Sequence, residues 1–362
     1  MNTYSHMIHN HLAYNYKLQS NSQRFTEGSR MITMTEIARL TGVSQPTVSR
    51  VLNGNTAVNP EIRERVLACA REHDFQPNVM AQSLVGSKTR LIGVIVTDIS
   101  NSFFAELVKY IGEEARKDGY SLILFSSDYD LEKEKECLDV VKRYRVDGLI
   151  MVPVDENGAE WRGMVSRLDI PTVVITRHAT GIDSFYVAHD EAGAQVARHL
   201  REQGYEEYIF FGNTTDDKYL GFIDGMANEC REFRKHLTII SSKDSQVIEA
   251  ALKEHFAKTT GKTGIFAYND RRAVQMMGIL QKMKIRVPEQ VGIVGFDNIY
   301  LCEVLYPSLS SIAQPNETMA SLAVQRLLYR MDHPNDQKRE DHPLHAELIC
   351  RQSSDLKGVQ QA

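Results

Sequence analysis

The chain has 362 residues, a formal net charge of −5 and an ordinary apolar share of 42%. This length predicts two or three domains, and the mild negative charge excludes a protein that coats nucleic acid with its whole surface, so any such contact must be local. The five cysteines are scattered and include no C-x-x-C pair, which argues against zinc or a disulfide framework and favours a reducing compartment.

Residues 1–30 are rich in Asn, Ser, Tyr and His and show no periodicity. They predict a disordered tail, or a start site assigned upstream of the real one. The tail histidines have no carboxylate or cysteine beside them to complete a metal site, so we predict no metal. The segment lacks the apolar core of a secretory signal, and no apolar run in the chain is long enough to cross a bilayer.

Residues 35–53, TEIARLTGVSQPTVSRVLN, predict two helices joined by a tight turn. Thr33 and Glu36 have the spacing of a capping box, in which each side chain accepts a free backbone N–H. Gly42 follows the first helix, where the left-handed backbone favours glycine. Ser44 is predicted to cap the second helix, and the proline that follows is tolerated because first-turn N–H groups have no helical partner.

The two helices each have an apolar and a polar side. The residues predicted to face inward are Ile37, Ala38, Leu40, Val48, Val51 and Leu52. The outward residues of the second helix are polar and hydrogen-bonding, with one forked cation: Gln45, Thr47, Ser49, Arg50 and Asn53. Such a set suits the base edges of a DNA major groove. Helix-turn-helix spacing is a loose signal, so a plain helical hairpin with a polar surface is the alternative.

A third helix completes a small bundle that ends near Phe75. Asn59 is its predicted N-cap and Pro60 its first residue, with a buried stripe of Ile62, Val66, Leu67 and Ala70. Residues 79–85, VMAQSLV, then form a mildly apolar segment that is too short to be a stable helix alone. We expect this segment to fold only against a partner.

From Leu91 onward, apolar runs such as LIGVIV (91–96) and VGIVGF (291–296) alternate with amphipathic helices. The alternation predicts parallel sheets covered by helices on both faces, and about 260 residues of it suit two lobes rather than one. Ligands of such folds bind beyond the carboxyl ends of the strands. Polar residues stand at those predicted ends, including Asp98, Arg177, Asn269-Asp270 and Asp297.

The chain resembles the LacI/GalR family of transcriptional regulators over residues 31–354. The most specific part is the helix pair followed by x-P-N-x-x-A-x-x-L-x-G and a strand that opens with IGV. Further matches are VDGLI, YNDRRAVQMMGIL, VPEQVGIVGFDN and YPSLSSIAQP. The resemblance implies that two chains pair through their cores and place two second helices on a pseudo-palindromic operator.

The resemblance also implies roles in DNA binding. Gln45 and Pro46 match the base-reading pair, and Arg50 is positioned to reach a guanine or a phosphate. Pro46 has no donor, so it offers only apolar contact. The residues implied to contact the DNA backbone and set the register are Thr35, Ser44, Thr47 and Ser49.

Residues 79–85 resemble the hinge helix of the family. The residues of this motif implied to bind DNA are Asn78, Ala81 and Leu84, and Leu84 matches the leucine that wedges into the central base step and kinks the duplex. The alternative is an ordinary linker whose Leu84 packs on the core. Because the segment is marginally helical, a small movement of the core can melt it and lower operator affinity.

The core resembles a periplasmic sugar-binding protein, with two lobes around a cleft. The residues implied to contact the effector are Asp98, Ser102, Phe103, Arg177, Lys218, Asn269, Asp270 and Asp297. Asp297 matches the carboxylate that grips ligand hydroxyls, and Phe103 is placed to stack on a sugar, whereas Phe104 is assigned to the core. Asp270 is alternatively a helix N-cap.

One residue departs from the family pattern. The family places Arg before x-x-G-F in the second lobe as a forked ligand clamp, and this chain has Lys218 there, in KYLGF. Lysine is a point charge and cannot act as a fork. Either the ligand geometry differs, or Arg177 or Arg271 takes over the role.

The predicted fold class is α/β: a three-helix helix-turn-helix head with a hinge helix, then a two-lobed periplasmic-binding-protein-like core of doubly wound parallel sheets. The predicted divisions are a tail (1–30), head (31–77), hinge and linker (78–90), first lobe (91–189 and 313–342), second lobe (190–312 and 343–354) and tail (355–362). The chain crosses between the lobes near Asp190, Ile312 and Pro343.

We predict a cytoplasmic DNA-binding repressor of a carbohydrate-utilisation operon, and no enzyme. It binds operator DNA as a homodimer and is released or recruited by a small sugar or sugar phosphate, with no cofactor and no membrane partner. One alternative is a global carbon-catabolite regulator with a phosphocarrier protein as corepressor. A solute-binding protein is a further alternative, but it predicts a signal peptide and no DNA-binding head. The last residues lack apolar heptads, which argues against a tetramer.

Overall fold

The computed structural model describes residues 32–52, 54, 57–75, 88–155, 158–227 and 232–361. The chain separates into two compact units, Met1–Ser87 and Lys88–Ala362. Several predictions fall outside the described residues: the tail of residues 1–30, the hinge helix of residues 79–85, and the DNA-binding roles of Asn53, Asn78, Ala81 and Leu84.

The described residues of the first unit form three helices, α1 (Met34–Thr41), α2 (Gln45–Leu52) and α3 (Pro60–Glu72). The capping box is confirmed: the Glu36 N–H donates to Thr33 Oγ1 at 3.2 Å, and the Thr33 N–H donates to Glu36 Oε2 at 2.8 Å. Gly42 ends α1 in the left-handed conformation at φ 66°. Asn59 caps α3, with Pro60 as its first residue, as predicted.

One core prediction for the head is wrong. Leu40 is 49% exposed, because Ile37, Ala38 and Thr41 occupy the buried side of α1. The Thr41 hydroxyl donates to the Ile37 carbonyl at 2.6 Å, which satisfies its polar group and lets threonine fill a core position. The buried apolar residues of the three helices are Ile37, Ala38, Val48, Val51, Val66 and Ala70.

The first lobe of the second unit is built on a six-stranded sheet. Its strands are β1 (Leu91–Val96), β2 (Ser121–Ser126), β3 (Gly148–Met151), β4 (Thr172–Ile175), β5 (Asp183–Val187) and β11 (Asp341–Leu344), covered by α4 (Ser102–Lys117), α5 (Leu131–Tyr144), α6 (Ala159–Val165) and α12 (Asn316–Asp332). The strand order is β11-β5-β4-β3-β1-β2, with all neighbours parallel. Helices on both faces explain why β1 is buried almost throughout.

The second lobe has the same construction. Its strands are β6 (Glu207–Phe211), β7 (Leu237–Ile240), β8 (Thr263–Ala267), β9 (Val291–Asp297), β10 (Ser310–Ala313) and β12 (Glu347–Ile349), with α7 (His189–Gln203), α8 (Asp217–Ala227), α9 (Ser245–Lys258), α10 (Asp270–Lys282), α11 (Leu301–Val304) and α13 (Leu356–Gln361). The order is β12-β10-β9-β8-β6-β7, in which only β12 runs antiparallel to its neighbour. The two parallel-sheet lobes agree with the predicted fold class.

The chain crosses between the lobes after β5, after β10 and after β11. The observed crossings differ by a few residues from the predicted ones near Asp190, Ile312 and Pro343. His189 already begins α7 of the second lobe, Ala313 pairs with Asp297 in the second sheet, and Pro343 pairs with Tyr186 in the first. The difference arises because ladder hydrogen bonds hold the last residue of each strand in its own sheet.

The final residues are not a free tail. Leu356 is 2% exposed and belongs to the main hydrophobic core. The Lys357 N–H donates to Gln203 Oε1 of α7 at 3.1 Å. Leu356 therefore anchors the start of α13 to the protein core.

Asp183, at the start of β5, ties α12 to the first sheet and is completely buried. Its carboxylate accepts bonds from Arg326 Nε at 2.8 Å and Arg330 Nε at 2.6 Å. Burial alone would raise the pKa of Asp183, but the bonds from Arg330, the Glu340 N–H and Arg326 outweigh burial and lower that pKa. The ionised carboxylate therefore compensates two buried guanidinium groups.

We predict that Asp183→Asn lowers the free energy of unfolding by about 3–5 kcal/mol, because it leaves two buried guanidinium groups without a carboxylate. Urea denaturation of the full chain measures this change. Asp139→Asn, at an exposed position of α5, should change stability by less than about 0.5 kcal/mol. Equal stability of the two variants would contradict the assigned role.

Candidate functional site

The outer side of α2 carries the residues predicted to read DNA. Gln45, Pro46 and Arg50 are exposed, while Val48 and Val51 on the opposite side are buried. The helix is thus anchored by its apolar side and leaves its polar side open to solvent. This is the arrangement that a recognition helix requires.

Four further predicted DNA contacts lie at the start of α1 and at or near the start of α2. Thr35 and Ser44 are exposed, and Thr47 and Ser49 are half-buried. Ser44 Oγ lies 2.8 Å from Thr47 Oγ1, and the Thr47 N–H donates to Ser44 Oγ at 3.4 Å. Ser44 and Thr47 therefore stabilise the start of α2, in addition to any contact with phosphate that they make.

A cleft lies between the carboxyl ends of the two sheets. Its aromatic lining comprises Phe103, Phe104, Tyr129 and Tyr268, and its polar lining includes Asn101, Arg177, His189, Lys218, Asn269, Asp297 and Gln314. The space left between these side chains is about 70 Å³. A concave site with aromatic walls and a few convergent polar groups is typical of small-molecule binding.

Lys218 reaches this cleft because α7 and α8 touch through glycines. A Cβ at Gly221 would lie 1.9 Å from the Asp190 carbonyl oxygen, and a Cβ at Gly193 would lie 2.3 Å from the Lys218 carbonyl oxygen. Neither position therefore accepts a side chain. This contact explains why the motif KYLGF has a glycine at position 221. The close approach places the start of α8 against the start of α7, so that Lys218 and His189 lie near each other at the cleft.

The Lys218 ammonium is buried between two aromatic rings. Its Nζ lies 3.7 Å from the ring centroid of Phe296 and 4.3 Å from that of Tyr268, and it donates to the Tyr268 carbonyl at 3.3 Å. Burial lowers the pKa of Lys218, although the carboxylates of Asp297 and Asp216 oppose the shift. At this position the chain therefore has a point charge held between π faces rather than the forked cation that an arginine would supply.

Arg177 joins the two lobes across the cleft. Its Nη1 lies 3.4 Å from Asp216 Oδ2, and the same oxygen accepts the Tyr268 hydroxyl at 3.1 Å. Burial would raise the pKa of Asp216, but the charges of Lys218 and Arg177 outweigh burial and lower that pKa. Arg177 of the first lobe thus helps to keep a buried carboxylate of the second lobe ionised.

Asp297 stands at the end of β9 with a backbone φ of 109°, a conformation that costs a non-glycine residue about 1–3 kcal/mol. Its Oδ1 accepts Gln314 Nε2 at 2.8 Å. Burial raises the pKa of Asp297 to about 7, against the opposing charge of Lys218. Near neutral pH this carboxyl group is therefore able both to donate and to accept a hydrogen bond.

Three residues predicted to bind the effector lie outside the cleft lining: Asp98, Ser102 and Asp270. Asp98 accepts the Ser100 N–H at 2.8 Å and pairs with Arg271 Nη1 at 3.1 Å, so its carboxylate links the lobes. Ser102 is exposed at the start of α4, and Asn101, which caps that helix, lines the cleft instead. Arg271 is held by Asp98, which leaves Arg177 as the arginine that lines the cleft.

Asp270 is buried behind the cleft and is a structural residue rather than a ligand contact. Its carboxylate accepts Ser311 Oγ at 2.6 Å and the Ile299 N–H at 2.9 Å, and burial raises the pKa of Asp270 to about 6. Asn269 is the N-cap of α10, through a bond from the Arg272 N–H to its Oδ1 at 3.0 Å. The N-cap alternative for Asp270 is therefore also wrong.

Comparison with known proteins identifies the family. Residues 33–78 match the bacterial regulatory proteins of the lacI family, and residues 197–354 match a periplasmic binding protein-like domain. The chain is 30% identical to the HTH-type transcriptional regulator RegA of Clostridium saccharobutylicum, over 88% of this chain and 98% of that one. It is 32% identical to the ribose operon repressor of Halalkalibacterium halodurans, over 90% of this chain and 97% of that one.

A solved structure adds to this match. The periplasmic binding protein/LacI transcriptional regulator from Alkaliphilus metalliredigens, complexed with D-xylulofuranose, is 30% identical with a TM-score of 0.62, over 73% of this chain and 99% of that one. The chain belongs to the LacI family. It is a DNA-binding transcriptional regulator with a periplasmic binding protein-like core, and members of this family are regulators rather than enzymes.

Several cleft residues of this LacI-family chain were not predicted from the sequence, among them Asn101, Tyr129, His189, Tyr268 and Gln314. Burial and the neighbouring Lys218 lower the pKa of His189 to about 3, so its imidazole is neutral and able to accept or donate a hydrogen bond. Tyr268 and Gln314 each follow a strand directly, and that position at a strand end is the signal that would have identified them.

Phe103 and Phe104 both line the cleft, with ring centroids 5.0 Å apart in an edge-on arrangement. Phe104 is 7% exposed, so it belongs to the core and to the cleft wall at once. In the part of the chain that the structure describes, no helix is long and apolar enough to cross a membrane.

Asp297→Asn should remove a pH dependence of stability between pH 6 and 7. The folded-state pKa of Asp297 is raised from 3.8 to about 7, so in this window the native state binds more protons than the unfolded state. Wild-type stability therefore falls as pH rises, by at most about 1.4 kcal/mol per pH unit.

Urea denaturation at closely spaced pH values measures this slope. The substituted amide side chain has no proton to lose, so the variant should show a flatter profile across the window. Asp139→Asn serves as the control and should keep the wild-type profile. An unchanged slope in Asp297→Asn would show that another group titrates in this range.

Proposed function

We propose that this repressor binds a pseudo-palindromic operator of a carbohydrate-utilisation operon as a homodimer in the cytoplasm. A small sugar or sugar phosphate in the interlobe cleft releases it from DNA or recruits it. The observation that carries the proposal is the cleft itself, in which aromatic walls and a paired set of buried charges stand in the same chain as a helix-turn-helix head.

The composition of the cleft supports a sugar as the effector. Phe103 and Tyr129 line the cleft with aromatic surface suited to the C–H side of a ring, while Asp297, Lys218 and Gln314 offer donors and acceptors for hydroxyl groups. The relatives point to pentoses, since one is named a ribose operon repressor and one solved structure holds D-xylulofuranose. Pentoses and their phosphates are therefore the first candidates.

We infer that Gln45, Pro46 and Arg50 contact bases, and that Thr35, Ser44, Thr47 and Ser49 contact the backbone. The exposure of the first three along one side of α2 supports direct readout. The same residues on a single head read few base pairs, so tight binding requires two heads on two half-sites. The second copy is supplied by the homodimer.

The second lobe carries a surface suited to such a dimer. Large apolar side chains are exposed at and around α11, with exposed fractions of 75% for Tyr300, 43% for Leu301, 54% for Val304 and 91% for Tyr306. Clustered exposed apolar residues are typical of a protein–protein interface. Burial of this apolar cluster against the same cluster of a second chain would give a two-fold interface.

The function is tested with the full chain and with duplexes selected from random sequence. Arg50→Ala should weaken duplex binding by about 1–3 kcal/mol, since it removes a forked base or phosphate contact, and should keep the response to sugar. Arg143→Ala, at an exposed position of α5, is the matched control. Fluorescence anisotropy measures duplex binding, and thermal shift measures sugar binding.

A sugar at a hundredfold over its dissociation constant should stabilise the chain by about 2.7 kcal/mol, and Phe103→Ala should abolish this shift with DNA binding retained. Deletion of residues 31–86 should abolish duplex binding and keep the sugar response. The regulator proposal fails if the deletion variant still binds the selected duplex.

The dimer proposal predicts a separate outcome. Val304→Asp places a charge in the apolar cluster around α11, so it should convert the dimer to a monomer in sedimentation velocity and weaken operator binding, because only one head then binds. Glu113→Gln, at an exposed position of α4, should leave the mass unchanged. A wild-type chain that sediments as a monomer or a tetramer would refute a dimer.

A further inference from the structure

The first lobe contains a cavity of about 570 Å³ on the side of its sheet that is remote from the cleft. Thr172 begins β4 and Ile182 directly precedes β5, and both residues line the cavity. The cleft lies at the carboxyl ends of the strands, so the two spaces occupy opposite edges of the sheet. We name this space the arginine cavity, after three residues of its wall: Arg162 of α6, Arg330 of α12 and Arg339 of the loop after α12.

Arg330 supplies a fixed positive charge in the wall of the arginine cavity. Its side chain is only 5% exposed, and its Nε donates to Asp183 Oδ2 at 2.6 Å. Its two terminal nitrogens also donate to the carbonyl oxygens of Asp336 and Lys338. The guanidinium group is therefore held in one position before any ligand binds, which lowers the entropic cost of placing an anion beside it.

The other two arginines have little compensation from carboxylates. Arg339 Nη1 lies 3.6 Å from Asp183 Oδ2, farther than the 2.8 and 2.6 Å bonds by which two buried arginines already hold that carboxylate. The Arg162 side chain makes no ion pair or hydrogen bond in the part of the chain that the structure describes. Asp169 is the one acidic residue among the described lining, against three basic residues. The field in the cavity is therefore positive.

The remaining lining suits an organic phosphate. The backbone N–H groups of Thr180 and Gly181, which also line the cavity, donate to no described residue. A phosphate ester has three terminal oxygens, enough to accept bonds from these groups and from arginine forks together, whereas a carboxylate has only two. The apolar part of the wall offers surface for the organic body: Val165, Ile170, Pro171, Ile182 and Pro334. The volume also lies in the range of about 300–1,000 Å³ that is typical of small-molecule sites.

We propose that the arginine cavity binds a small phosphate ester, as a ligand separate from the effector of the cleft. Arg162 and Arg339, which are exposed, bond to the phosphate oxygens, and the fixed charge of Arg330 attracts the anion. The apolar wall contacts the organic body. A phosphate of a DNA backbone is the other source of this group, but it lies on a convex duplex, whereas Arg330 lies in the wall of a recess.

Calorimetry of the full chain tests the site with phenyl phosphate, ribose 5-phosphate and inorganic phosphate at constant ionic strength. We expect at least one ester to bind more tightly than inorganic phosphate, because only an ester contacts the apolar wall. Arg162→Gln/Arg339→Gln should weaken this binding at least tenfold, the effect of losing one charge-assisted hydrogen bond. Phe103→Ala changes the wall of the cleft and should leave the binding of the ester unchanged.

Arg116→Gln/Arg143→Gln is the matched control, because it removes the same charge from exposed positions of α4 and α5. It should keep the wild-type affinity for the ester. Arg162→Gln alone removes a side chain without a described partner, so it should weaken ester binding with an unchanged melting temperature. This variant keeps the test valid if the double variant fails to fold.

Four results would overturn the proposal. The first is that no phosphate ester binds more tightly than inorganic phosphate. The second is that the cavity variants bind the ester as tightly as wild type, while Phe103→Ala loses it, which would place the phosphate in the cleft. The third is an equal loss in the control, which would indicate a non-specific charge effect. The fourth is that the cavity variants lose affinity only for the selected duplex, which would make DNA the source of the phosphate.

Discussion

The contact between α7 and α8 decides how the core is built. Because Gly193 and Gly221 carry no side chain, the two helix starts pack backbone to backbone, and Lys218 is carried into the space between the sheets. A buried ammonium requires compensation, and the surrounding groups supply it: carboxylates of Asp216 and Asp297, and the faces of Phe296 and Tyr268. The packing of α7 against α8 therefore accounts for the position of the Lys218 charge and for the carboxylates that surround it.

The cleft is closed by the protein's own interlobe pairs. Arg177 reaches Asp216, and Arg271 reaches Asp98, each from one lobe to the other. An effector must therefore bind better to one arrangement of the lobes than to another, since a ligand shifts an equilibrium only by its difference in affinity for the two states. Lys218 and Asp297 belong to the second lobe and Phe103 to the first, so a ligand in the cleft would touch both lobes.

Sequence reasoning identified the elements of the head and most of the strands, because their signals are local. The Thr33–Glu36 capping box, Gly42 and the Asn59-Pro60 start depend on residues within a few positions of one another. Leu40 was predicted to be buried, but the helical period does not show which residues at the border of the apolar side contact the neighbouring helices. Thr41 occupies the buried position instead, with its hydroxyl bonded to its own helix.

The prediction of Asp270 as a ligand residue failed for a related reason: a strand-end position does not reveal whether a carboxylate turns toward the cleft or toward Ser311.

By itself, the sequence determined the family, the helix-turn-helix, the alternating strands and the presence of Lys218 in place of an arginine, since these are properties of residue type and spacing. Only the tertiary structure decided which strand ends share the cleft. Tyr129, His189, Tyr268 and Gln314 are far apart in the chain, and three lobe crossings bring them together. The raised pKa of Asp297 and the lowered pKa of Lys218 have the same origin, because burial and neighbouring charge exist only after the two sheets have packed.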